Sequence, residues 1–292
     1  MRSPIASLLV CAAACSGSTV DRDVVYDARF GETTMDIYLP DGDQPARPTV
    51  LFVHGGSWSG GDKDQFFRMG PRLADSGFVA ASINYRLVPD GVFPLDAMDC
   101  ICSLAFLRGH AAEYGIDPDR IAVMGYSAGA QLASLVGIAS DDPELAPDCD
   151  AAAGQSLALP AAVISGSGPQ DMRAFWNDVG PDKSVVDSIF GGSPSQLPDA
   201  YDLASPITHV RPDAPPYLLI YDVLDISGNA AMRDALVADG TDAHLMEVAG
   251  SLHVLEEGDD PGEYEVAMAI ETPVAWIAIE DLLFRTIAKG GT

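Results

Sequence analysis

The chain has 292 residues, enough for one large α/β domain or two small ones. Apolar residues make up 48%, so a sizeable core is available, and 43 acidic against 16 basic side chains leave a formal charge of -27. That balance excludes nucleic acid as a partner and electrostatic docking on anionic lipid, and it points to a strongly solvated acidic surface.

The chain opens as an export signal. Met1-Arg2-Ser3 is a short basic segment, and residues 5–14 are apolar. Ten apolar residues are too few to span a bilayer but suit the hydrophobic region of a signal peptide. Ala12-Ala13-Ala14-Cys15 resembles a bacterial lipobox, which makes Cys15 a candidate for lipidation; cleavage after small residues would instead release a secreted protein. Residues 1–20 are therefore set aside as leader and tether. Residues 21–292 are taken as a single domain at the cell envelope or outside the cell. A lipid on Cys15 is the one membrane attachment expected.

Thr33 to Pro40 alternates apolar and polar, as an antiparallel edge strand does. Val50-Leu51-Phe52-Val53 is continuously apolar, the pattern of a strand buried on both faces. It runs into a glycine-rich loop, His54-Gly55-Gly56-Ser57-Trp58-Ser59-Gly60-Gly61-Asp62-Lys63. A helical pattern follows over 64–76, then a strand over 78–84. Pro94 opens a helix with Ala97, Ile101, Leu104 and Ala105 on one face. Residues 120–124 form another strand, and 131–139 another helix. After a Pro- and Ala-rich loop come a strand at 161–165 and an irregular excursion at 170–210. A strand at 217–221, a helix at 230–238, a strand at 244–248 and a helix at 273–288 complete the chain. Strand and helix alternate throughout, so the fold class is α/β: a doubly wound, mostly parallel sheet of about eight strands. In such sheets reactive groups sit on loops at the carboxyl ends of the strands.

Between the strand at 120–124 and the helix at 131–139 stands Gly125-Tyr126-Ser127-Ala128-Gly129. This is the G-x-S-x-G pattern of a nucleophile elbow, in which a sharp strand-to-helix turn exposes the serine hydroxyl. A nucleophilic serine needs a base, an acid to orient it and donors for the oxyanion. With the nucleophile mid-chain, acid and base must follow in that order. His244 heads a strand and is expected to be structural. His253, in Gly250-Ser251-Leu252-His253, falls in a loop beyond the last strand and is the candidate base. His54 is expected to organise its loop, His110 lies at a helix end, and His209 precedes a strand at the wrong edge of the sheet. For the acid, Asp225 and Asp222 both follow the strand at 217–221, and Asp225 is the better placed. The oxyanion donors would be the Ala128 N–H and one or two N–H groups of Gly55-Gly56-Ser57.

Five cysteines do not form a disulfide scaffold in a chain of this length. Cys100 and Cys102 point to different sides of a helix and cannot easily pair with each other. Cys149 could pair with one of them in an oxidising compartment. No Cys/His cluster has zinc-site spacing, and no phosphate-binding glycine pattern is present, so neither metal nor cofactor is expected.

The loop His54-Gly55-Gly56-Ser57-Trp58 with Gly60-Gly61-Asp62-Lys63 resembles the HGG-x-W loop of α/β-hydrolase carboxylesterases, the group of the hormone-sensitive-lipase-like esterases and kynurenine formamidases. The likeness continues through Asn84-Tyr85-Arg86-Leu87, Phe93-Pro94, Tyr114-Gly115-Ile116-Asp117-Pro118, the elbow, Ser205-Pro206 and Pro215-Pro216-Tyr217. It spans roughly residues 33–256. It implies Ser127 as nucleophile, Gly56, Ser57 and Ala128 as oxyanion donors, Asp225 as acid and His253 as base. It also implies a small-molecule ester as substrate, with amide or formamide hydrolysis as a variant of the same chemistry. A hydrolase fold kept as a non-catalytic binding module is the alternative. At the acid the chain departs from the family's His-Gly-x-x-Asp, reading Tyr221-Asp222-Val223-Leu224-Asp225.

Overall fold

The computed structural model describes residues 17–42, 44, 46–181, 183–221, 228–248, 256–257, 264–265 and 269–288. Eight strands form one sheet: β1 (Thr19–Val25), β2 (Thr34–Leu39), β3 (Arg47–Val53), β4 (Val79–Ile83), β5 (Ile116–Tyr126), β6 (Ala162–Gly166), β7 (Tyr217–Tyr221) and β8 (Ala243–Glu247). Their order is β1-β2-β4-β3-β5-β6-β7-β8. β1, β2 and β4 pair antiparallel, and every pairing from β4 onward is parallel. A two-stranded ribbon joins β9 (Glu256–Glu257) to β10 (Tyr264–Glu265).

The alternation of strand side chains sorts the core into two layers. Leu51, Val53, Val123, Val163 and Leu219 face one side. They are covered there by α2 (Leu95–Gly109), α4 (Ala128–Ala139) and α8 (Asn229–Ala238). Val50, Phe52, Ala122, Met124, Ile164 and Ile220 face the other. That side is covered by α1 (Met69–Asp75) and α9 (Pro273–Leu283). The central strands β3, β6 and β7 are apolar on both faces because each face carries helices, as the continuous run at 50–53 implies.

Two expectations need correcting. Residues 33–40 alternate because β2 pairs antiparallel, but β2 is not the edge. β1 covers it, and β1 starts at Thr19, inside the stretch set aside as leader and tether. An alternating polar strand next to a signal-like segment carries too little apolar signal to stand out. The excursion at 170–210 is not irregular either. It holds α5 (Met172–Asp178), α6 (Ser184–Phe190) and α7 (Pro198–Leu203), each too short to show a helical period. A single turn, α3 (Ala111–Tyr114), leads into β5.

Cys102 on α2 is bonded to Cys149, while Cys100 is buried and free. The bridge ties α2 to the loop after α4 across 47 residues. Closing a loop of that length restricts the unfolded chain by an amount worth about 4 kcal/mol in the loop-entropy estimate. Cys149→Ala should therefore lower the urea midpoint by an equivalent of roughly 2–4 kcal/mol. A variant with unchanged urea unfolding would show that the bridge does not form in the protein.

Candidate active site

β3 lies between β4 and β5, so the loops leaving β3 and β5 diverge at a topological switch point, where open α/β sheets bind ligands. The glycine loop leaves β3 and the elbow leaves β5. Val53 is paired with Gly125 across the two strands, so His54 and Tyr126 continue side by side.

Ser127 has φ 54° and ψ -123°, a conformation costly for any residue with a β-carbon. Strain of this kind costs about 1–3 kcal/mol and persists only where its surroundings impose it. They do so here. The Ser127 N–H donates to Gly166 O at 2.8 Å, and its carbonyl accepts from the N–H groups of Ala130 and Gln131. From Ile121 to Ser140 every residue except Ser127 is buried. The turn thus lifts one serine out of an otherwise covered strand and helix. Ala128 is the first residue of α4, so its N–H has no carbonyl one turn earlier in the helix to bond.

The loop is pressed against this turn. A β-carbon on Gly55 would stand 3.0 Å from Ser127 Cβ and 2.8 Å from Tyr126 O. Only glycine fits there. Gly56, Ser57 and Trp58 all take positive φ, at 125°, 53° and 57°. The resulting tight turn is closed by N–H groups of Ser59 and Gly60 donating to Gly56 O. Gly56 and Ser57 are exposed, while Gly55 and Trp58 are buried. Gly55 is thus the point where the loop meets the elbow, and Gly56 and Ser57, the candidate oxyanion donors, follow it directly in the chain.

His54 is a loop organiser, as expected. It is 1% exposed, and its Nδ1–H donates to Gly55 O at 2.7 Å. Its ring stacks on Tyr85, whose hydroxyl donates to His54 O. Burial holds its pKa below the usual imidazole value, so it stays neutral. Asn84 pins the far end of the loop: its Oδ1 accepts from the Lys63 N–H and its Nδ2 donates to Asp62 Oδ2. Burial pushes the Asp62 carboxyl up, but the Asp64 N–H and Asn84 amide outweigh it and hold it low. Arg86 grips Asp99 through two parallel bonds of 2.8 and 2.7 Å, fixing α2 against the strand end after β4. Asn84 and Tyr85 thus support the loop, and Arg86 fixes the helix beside it.

The other histidines are placed away from the elbow or engaged. His244 stands near the start of β8, at the opposite end of the sheet, 59% exposed and 2.9 Å from Asp242. His209 Nε2–H donates to Leu203 O, and His110 Nδ1–H donates to Phe106 O. Asp222, Asp225 and His253 lie outside the described residues, as does Cys15. What the structure does place is their approach: β7 ends at Tyr221, two strands from β5, and Val248 follows β8 with its N–H on Tyr221 O.

A cleft of about 400 Å3 adjoins the loop, lined by Glu32, Ser59, Asp62, Asn84 and Asp90 together with His54, Tyr85 and Leu87. Of its polar side chains, Glu32 and Asp90 were not singled out from the sequence, because neither falls in a motif. Among the described residues the one grouping of metal-ligand types is Asp27 with Cys102 and Cys149. Its two sulfurs are bonded to each other, so it offers no thiolates.

With the elbow and glycine loop side by side at the switch point, the comparisons with known proteins decide the family. The BD-FAE family model matches residues 35–231. The chain belongs to the BD-FAE family, a family of α/β-hydrolase fold. The match takes in the glycine loop, the elbow and β7 within one unit. Esterase LipQ of Mycobacterium tuberculosis is 30% identical over 236 residues, covering 76% of this chain and 55% of that protein. The chain spans about half the length of the curated relatives it matches. Among solved structures, a truncated carbohydrate esterase from gut microbiota superposes with a TM-score of 0.77 at 23% identity, over 95% of this chain and 99% of that one. A bifunctional GH43-CE protein of Bacteroides eggerthii superposes with a TM-score of 0.76 at 25% identity, over 90% of this chain and 37% of that one.

Proposed function

We propose that the chain is a serine hydrolase of carboxylic esters, acting through an acyl-enzyme on short-chain or sugar-linked acyl groups. The observation that carries this reading is the contact of the glycine loop with the strained, uncovered Ser127. An acyl-transfer site requires a nucleophile beside backbone donors, and the approach of Gly55 to Ser127 supports that reading. Ser127 Oγ attacks the ester carbonyl, and its proton passes to His253. The N–H groups of Gly56, Ser57 and Ala128 receive the oxyanion. The C–O bond then breaks, and the alcohol leaves with the proton from the imidazolium. Water, deprotonated by the same imidazole, releases the acid and restores Ser127. Asp225 orients the imidazole.

His253 is supported by elimination. The chain has five histidines, and the other four are engaged as loop organiser, helix end, turn and strand start. The sugar-linked preference draws on the polar cleft beside the loop, whose carboxylates and amide could accept hydrogen bonds from a hydroxyl-bearing alcohol. It also draws on the carbohydrate esterase named among the structural neighbours. Amide or formamide hydrolysis would use the same groups. For location we propose export, with Cys15 as lipid anchor. The Cys102–Cys149 bridge supports an oxidising compartment.

The test is a panel of p-nitrophenyl acetate, butyrate and octanoate with an acetylated xylo-oligosaccharide, together with a fluorophosphonate probe. Turnover of the acetates and stoichiometric labelling at Ser127 are expected. A folded protein that neither hydrolyses any ester nor labels would leave the non-catalytic binding module standing instead.

A further inference from the structure

We propose that Gln131 is a positioning residue, whose side-chain amide holds the oxyanion loop in register with Ser127 through the Trp58 indole. This deepens the esterase reading and rests on it.

Gln131 lies in the first turn of α4, four residues after Ser127, and its N–H reaches Ser127 O at 3.3 Å. Its side chain is 1% exposed and both ends are used. Oε1 accepts from Trp58 Nε1–H at 3.0 Å, and Nε2 donates to Ala204 O at 2.8 Å. One amide therefore joins the nucleophile's helix, the oxyanion loop and the end of α7. A glutamine can do this because it carries an acceptor and a donor on a single planar group.

The loop needs such a tie. Two consecutive residues with β-carbons, Ser57 and Trp58, sit at positive φ. The relaxed alternative for both is an extended backbone, which would swing the N–H groups of residues 56 and 57 away from the serine. Trp58 resists this at three points: its ring packs edge-on against Phe175, its carbonyl accepts from Val88 N–H, and its indole is bonded to Gln131. Of these only the Gln131 bond references the loop to the elbow itself. Neither side chain faces substrate, since Trp58 is 3% exposed. The effect is on geometry, and it is felt where charge develops on the oxyanion rather than in the ground state.

The experiment compares Gln131→Met, Trp58→Phe and the double variant on p-nitrophenyl acetate. Active sites are counted by fluorophosphonate titration, and Tm is measured alongside. Each single variant should lower kcat per labelled site by about 10- to 100-fold, with KM within about twofold. The double variant should lose no more than the worse single one, because both substitutions cut the same bond. Removing both partners also leaves fewer buried polar atoms unpaired, so its Tm should exceed that of Gln131→Met. A merely structural role predicts that kcat recovers with Tm, and that result overturns the inference. So does a kcat within twofold of wild type in Trp58→Phe, which decides the matter if Gln131→Met fails to fold. An inactive, unlabelled wild-type protein would instead remove the esterase reading and this inference with it.

Discussion

Ser127→Ala should abolish ester hydrolysis, lowering kcat by about four to six orders of magnitude while leaving Tm within a degree or two. The size of the loss follows from what the hydroxyl does. Without Oγ there is no acyl-enzyme, and what remains is the oxyanion donors acting on a water attack, typically worth about 10³–10⁴ over the uncatalysed rate. Stability should barely move, because Ser127 is held through its backbone. Its N–H on Gly166 and its carbonyl on the N–H groups of Ala130 and Gln131 survive the substitution. Alanine keeps the β-carbon, so the positive φ costs about the same. The measurements are steady-state rates on p-nitrophenyl acetate, fluorophosphonate labelling and thermal unfolding. A variant that hydrolyses within tenfold of wild type would sink Ser127 as nucleophile. Loss of activity accompanied by collapse of Tm would show instead that the serine is structural.

Much of this architecture was legible in the sequence. Residues 50–53 announced a buried strand, because both faces of the sheet carry helices there and leave no polar alternation. The elbow was legible because its geometry demands small residues on either side of the serine: a β-carbon on Gly125 would lie 2.1 Å from Gly129 O. The pairing of Cys149 with Cys102 rather than Cys100 was not legible. Both cysteines sit on one helix, and only the register of α2 against the loop after α4 chooses between them. β1 and the three helices of the excursion escaped because a seven-residue polar strand and helices of six or seven residues carry almost no period. The role of Gln131 escaped for a different reason. A glutamine on an apolar helix gives no sign of its partners until Trp58, 73 residues earlier, is brought beside it.

Gly129→Ala should lower both stability and turnover sharply. A β-carbon there would stand 2.1 Å from Val53 O and 2.3 Å from His54 O. Both are backbone atoms, so no side chain can swing aside. Overpacking a well-filled site costs about 1–3 kcal/mol and more where the obstacle cannot yield. A loss of about 3 kcal/mol or more is therefore expected, read as a fall in the urea midpoint. The damage is directed as well as large. Val53 ends β3, and His54 begins the glycine loop, so pushing α4 off these two carbonyls separates the elbow from the Gly56 and Ser57 N–H groups. A displacement of about 1 Å at a reacting centre can cost on the order of 10²-fold in rate. Residual folded protein should thus show kcat reduced by at least that factor, beyond what its folded fraction explains. Gly31→Ala is the control: nothing lies within 4 Å of its β-carbon position, so stability and rate should both hold. Should Gly129→Ala keep wild-type unfolding and turnover, the strand, loop and helix are not packed backbone to backbone as the 2.1 and 2.3 Å approaches require.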